Sequence, residues 1–214
     1  MKIARVLYPV KVLGPGNRIG IWVSGCDRRC RGCANPELWD ASSVPDTPVE
    51  ELCSVLKKMI LTMEERPDGV VISGGEPFAQ PEELSVLLAF LKPLLPDILV
   101  FTGFTLCELQ KEEATGNILP YISVLVDGEY RQEENRGEVL RGSANQRIHY
   151  LDASLEQRYV TYQDQMDGKS MVQNFRTQDG MIAVGIHRKD FRRQLAERME
   201  AKAFRILQKG AADE

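Results

Sequence analysis

Three cysteines fall within one short stretch, Cys26-Asp-Arg-Arg-Cys30-Arg-Gly-Cys33. Thiolates this close together on one loop suit metal better than a disulfide in a reducing compartment, and the total of five cysteines is odd. Three thiolates can each ligate one iron of a [4Fe–4S] cubane, leaving the fourth iron open to an external chelating ligand. A structural zinc site needs four ligands, and none is nearby, since His149 and His187 lie far along the chain. A redox pair at Cys30 and Cys33 would open a helix directly, whereas Asn35-Pro36 follows. The spacing therefore favours the cluster, with a non-catalytic iron–sulfur or zinc module as the competing class. Cys53 and Cys107 fall on expected helices and read as small core residues. Arg28, Arg29 and Arg31 read either as a solvated basic loop or as charges that offset a thiolate-bound cluster and attract an acidic electron donor.

A second motif, Ser73-Gly74-Gly75-Glu76-Pro77, sits where an apolar run gives way to a loop. A Gly-Gly turn alone is weak evidence. One strand–helix unit after the cysteine loop it gains weight, because two glycines let the backbone approach a ligand and Glu76 can accept from a cationic amino group.

Alternating elements must position these motifs. Arg18 to Ser24 reads as a buried strand, and Thr47-Pro-Val-Glu50 as a capping box opening a helix. Gly69 to Ser73 is a second strand, and a helix starting at Pro81 follows, with Leu84, Leu87, Leu88, Leu91, Leu94 and Leu95 as its stripe. Ile98 to Phe101 is a third strand, Thr105 to Glu108 caps a third helix, and Ile122 to Val126 is a fourth strand ending at Asp127-Gly128. This alternation implies an α/β fold with a parallel sheet and ligand chemistry at the carboxyl ends of its strands. Beyond residue 152 the pattern changes. Residues 158 to 187 read as short strands around Asp179-Gly180, and 188 to 209 as a basic amphipathic helix. The expected organisation is a core over 1–151 and a small α+β extension over 152–214.

Composition excludes several classes. A net charge of −4 offers no global basic field for nucleic acid. The longest apolar region, Val86 to Phe101, is broken by Lys92, Pro93, Pro96 and Asp97, so no membrane span is expected, and the N-terminus carries no secretory signal. A cytoplasmic location follows by default.

The CxxxCxxC spacing resembles that of the radical S-adenosylmethionine superfamily, and Gly74-Gly75-Glu76 resembles its GGE motif. The resemblance narrows to the activating proteins of anaerobic (class III) ribonucleotide reductase. It rests on Gly14-Pro-Gly-Asn-Arg18, Gly32 before the third cysteine, Asn35-Pro-Glu-Leu-Trp39, Phe101-Thr-Gly-Phe104, Leu125-Val-Asp-Gly128 and Arg141-Gly-Ser-Ala-Asn-Gln146, in that order. It covers nearly all of residues 1 to 151.

The resemblance implies an open partial (βα) barrel with a [4Fe–4S] cluster on Cys26, Cys30 and Cys33. Gly32, Cys33 and Ala34 would lie against the adenosyl end of S-adenosylmethionine, Ser73, Gly74, Gly75 and Glu76 at its methionine end, and Thr102 and Asp127 near its ribose or carboxylate. The implied reaction is reductive cleavage of that cofactor, whose 5′-deoxyadenosyl radical abstracts hydrogen from a glycine in the reductase's large subunit. No side chain need act as acid or base. A low-potential donor such as flavodoxin is implied, as is an oxygen-free setting. The alternatives are an activase of another glycyl radical enzyme and a small radical enzyme acting on a peptide or purine-like substrate. No motif lies beyond Gln146, so the extension is expected to be unnecessary for cofactor cleavage.

Overall fold

A computed structural model describes residues 1–166, 171–177, 180–191 and 193–198. Its centre is a six-stranded sheet in which the strands lie side by side in chain order. β1 (Ile3–Val10) runs antiparallel to β2 (Arg18–Val23), and β3 (Gly69–Gly74), β4 (Ile98–Phe101) and β5 (Val124–Asp127) continue parallel to β2. β6 (Arg147–Tyr150) closes the far edge antiparallel to β5. Helices α1 (Val49–Thr62) and α2 (Pro81–Leu91) link the first parallel strands, and the short α3 (Leu106–Lys111) and α4 (Glu113–Gly116) lie between β4 and β5.

The middles of the parallel strands are apolar because both their faces are covered. Ile19, Ile21, Val23, Val70, Ile72, Ile98 and Val100 pack with Leu52, Leu56, Leu84, Leu88 and Leu91 of α1 and α2. The alternate residues Trp22, Val71, Leu99, Val124 and Val126 point the other way. Covering that second face are Val139 and Leu140, Tyr159 and Tyr162 of α5 (Glu156–Gln165), and Val184 of the hairpin β7 (Val172–Thr177) and β8 (Gly180–Gly185).

Several expectations change. Residues 156–165 form a helix rather than strands: Tyr159 and Tyr162, three apart, both turn inward. Thr47 and Glu50 form no capping box, because α1 begins at Val49 with Pro48 at its cap. An isolated bridge between Lys2 and Asp46, with Thr47 N–H donating to Met1 O at 3.0 Å, holds Thr47 in the approach to the helix. Cys53 is buried as expected, but Cys107 is exposed on α3. Of the helix expected over 188–209, Phe191 and residues 193–198 are helical and 188–190 are not, whereas 192 and 199–209 lie outside the described residues, as does Asp179.

Arg18, the first residue of β2, is fully buried at the end of the sheet opposite the cysteine loop. Its guanidinium donates to both Asp97 carboxylate oxygens (2.8 and 3.0 Å), to Val70 O (2.8 Å) and to Asp97 O (2.9 Å). The Tyr159 hydroxyl donates to Asp97 Oδ1 at 2.7 Å. The Gly14-Pro-Gly-x-Arg18 sequence thus ends in a buried ion pair. Among the described residues no helix is long and apolar enough to cross a membrane.

Candidate functional site

The loop after β2 is pinned at its two ends. Gly25 N–H donates to Leu38 O (2.8 Å) and Cys26 N–H to Trp39 O (2.9 Å), so residues 26–38 project as one excursion. Within it, Cys33 N–H donates to Cys30 O at 3.1 Å. Cys26, Cys30 and Cys33 are all free thiols and half-buried. Burial pushes the Cys30 and Cys33 thiols up; the Glu129 carboxylate adds to this at Cys30, and the Asn35 N–H opposes it at Cys33. Metal ligation must remove these protons.

The Gly-Gly-Glu stretch is fastened to the same loop. Gly75 N–H donates to Val23 O and Glu76 N–H to Gly25 O, both at 2.8 Å. A Cβ at Gly75 would collide with the Gly25 carbonyl, so only glycine lets the two strand ends meet.

Glu76 is 4 % exposed, and burial pushes its carboxyl up. Thr102 Oγ1 (2.8 Å) and Phe78 N–H (3.1 Å) donate to Oε1, and Gly103 N–H (2.7 Å) donates to Oε2. Thr102, expected at the ribose or carboxylate of a cofactor, here supports Glu76.

These parts line one cavity of about 430 Å³, within the range of small-molecule sites. Cys26, Cys30, Gly32, Cys33 and Ala34 form one side, and Ser73 to Glu76 with Thr102 another. Asp127 is not in the lining. Its Oδ2 accepts from Leu106 N–H at 2.7 Å, at the start of α3, and lies 2.8 Å from His149 Nε2. Arg28 turns into the cavity, its guanidinium 4.3 Å from the centroid of the Phe104 ring, and its buried Nε has no hydrogen-bond partner among the described residues. Arg29 and Arg31 stay exposed. Tyr130, Gln132 and the segment after β8 also line the cavity, and no sequence pattern marked them.

Among the described residues no three His, Cys, Asp or Glu side chains converge on a point for a single metal ion. A cubane makes a different demand, each thiolate taking its own iron. Three half-buried thiols beside a cavity, with an orphaned cationic N–H inside it, fit a group that is both metal-bearing and negatively charged.

Parallel strands that present a cysteine triad and a buried carboxylate at their carboxyl ends define an α/β iron–sulfur protein with an adjoining ligand pocket. Residues 12–149 match the family described as a 4Fe-4S single cluster domain. The chain is 38% identical over 151 residues to an anaerobic ribonucleoside-triphosphate reductase-activating protein of Pasteurella multocida, covering 66% of this chain and 93% of that protein. It is 39% identical over 149 residues to one from Vibrio cholerae (66% and 94%), and 33% identical over 150 residues to one from Enterobacteria phage T4 (66% and 90%). The chain belongs to the family of anaerobic ribonucleoside-triphosphate reductase-activating proteins, within the 4Fe-4S single cluster domains.

Proposed function

We propose that this chain is a radical S-adenosylmethionine activase that installs a glycyl radical on the large subunit of an anaerobic ribonucleotide reductase. The observation that carries this reading is the shared cavity, where Cys26, Cys30 and Cys33 face Gly74, Gly75 and Glu76. When bound, the reduced cluster and S-adenosylmethionine supply an electron and a hydrogen-abstracting carbon radical. The chain's own residues bind, orient and exclude water. The three cysteines hold the cluster. Gly32, Cys33 and Ala34 support the adenosyl end of the cofactor, and Ser73, Gly74 and Gly75 hold its methionine end. Glu76 pairs with its amino group, braced by Thr102 and the Gly103 N–H. Asp127 acts by fixing the start of α3 rather than by touching the ligand.

The parallel strands and their helices are read as the open partial (βα) barrel of that superfamily. Residues 1–151 are its core and 152–214 an extension. A low-potential donor such as flavodoxin, in the cytoplasm, completes the reading. The aligned region takes up 93% of the Pasteurella protein but 66% of this chain, and this favours one alternative target, another glycyl radical enzyme.

The test mixes reduced protein, S-adenosylmethionine and the cognate reductase without oxygen and records the electron paramagnetic resonance spectrum. A glycyl doublet on the reductase is expected. 5′-Deoxyadenosine without a doublet would move the target to another protein, and no 5′-deoxyadenosine would overturn the activase reading itself.

A further inference from the structure

The extension does not lie apart from the site. β7 and β8 form a hairpin over the second face of the sheet, tied to the end of β1 by one side chain. Gln173 Nε2 donates to Pro9 O at 2.7 Å, while its Oε1 accepts from Lys11 N–H at 2.9 Å. Val184 packs in the same cluster as Val10, Leu13 and Trp22. The chain leaves β8 at Gly185, whose φ of +144° and contact with the Met171 carbonyl leave no room for a side chain.

From there it runs along the cavity. Asn135 Nδ2 donates to His187 O at 2.8 Å, and Asn135 Oδ1 accepts from Gly137 N–H at 3.1 Å, so the new wall is bolted to the loop beyond β5. The His187 and Phe191 rings stack with centroids 4.2 Å apart. Ile186 and His187 line the same cavity of about 430 Å³ as the three cysteines and Ser73 to Glu76. They also line a smaller one of about 80 Å³ together with Ala34 and Ser73.

Resting on the activase reading above, we infer that the segment 185–191 is a wall of the cofactor site, with Ile186 and His187 in contact with bound S-adenosylmethionine. Two half-buried side chains on a fixed backbone, in the same lining as the thiols, meet whatever fills the cavity. Their apolar surface and the stacked rings keep water from the reacting end of the ligand. The family match ends at residue 149, so this segment lies outside it.

The experiment uses the full-length, cluster-loaded protein. S-adenosylmethionine affinity is measured by calorimetry for the parent and for Ile186→Trp, His187→Ala and, as a control at an exposed position on α1, Leu61→Ala, with iron content as a control on the cluster. Amide hydrogen exchange of the parent is followed with and without the ligand. The expected result is slowed exchange over 185–189 and affinity lowered on the order of ten-fold in Ile186→Trp and His187→Ala, the scale of one buried contact. Leu61→Ala should match the parent. A parent that binds S-adenosylmethionine with unchanged exchange over 185–189 and unchanged variant affinities would overturn the wall alone. A cluster-loaded parent that binds none would overturn the activase reading and the wall with it.

Discussion

A carboxylate has about four acceptor positions, and three of those on Glu76 are taken by Thr102, Phe78 and Gly103. The remaining position is the one a cationic amino group can use. Burial raises the Glu76 carboxyl, so its favourable contribution to folding is present below its unfolded-state value and is lost as pH rises through the folded one. A cation bound beside it reverses that sign by favouring the ionised form. S-adenosylmethionine affinity should therefore fall as pH drops through a value above the ordinary carboxylate range. Glu76→Gln should flatten that dependence and cost about 1.5–3 kcal/mol of binding near neutrality. Calorimetric titration across the acidic-to-neutral range measures both, and an unchanged slope in the variant would remove Glu76 from the binding step. The three cysteines and Glu76 were legible because each motif is contiguous. The bracing of Glu76 by Thr102 was not, since the two are 26 positions apart and meet only through the register of neighbouring strands.

Elements in this chain were legible where local and tertiary signals agree. β4 is a continuous apolar run between Asp97 and Thr102, and buried on both faces it could hardly be anything else. β1 escaped notice because seven of its eight residues are half-buried and alternation is blurred at such an edge. α5 carries a strand-like local signal because Tyr159, Val160, Thr161 and Tyr162 all favour strands intrinsically. Tertiary contact overrides that preference, with Tyr159 reaching the Arg18–Asp97 pair. The same contact yields a graded prediction. Asp97→Ala strands a buried guanidinium and should cost about 3–5 kcal/mol, whereas Tyr159→Phe removes one hydrogen bond to a charged group and should cost about 1.5–3 kcal/mol. Urea denaturation of both variants decides the matter. Equal losses would mean that Asp97 is not the centre of the network.

At the scale of the molecule, the sheet has helices α1 and α2 on one face and Val139, Leu140, α5 and the β7–β8 hairpin on the other. A protein ending at residue 152 would keep Val139 and Leu140 but lose Tyr159, Tyr162 and Val184 from over Trp22, Val71, Leu99, Val124 and Val126, leaving an apolar patch. An apolar patch of that extent on a sheet favours aggregation. The truncated chain is expected to be poorly soluble or to lose its sharp thermal transition, a demand of packing separate from whether the extension is needed for cofactor cleavage. Solubility and calorimetric melting of the two lengths check this, and a soluble truncation with the parent's transition would show that the second face needs no cover.

The buried pair at the foot of β2 has one more consequence, concerning the order in which the ribosome delivers the chain. Arg18 and Asp97 emerge well before Tyr159, the residue that completes their shell. Until it arrives, a guanidinium and a carboxylate stand in a half-closed interior, where an incomplete set of partners costs most. Nascent chains halted before α5 should be open to protease around β2 and β4, and chains long enough to release α5 should be resistant. Synthesis of the last third would then be the event that closes the first.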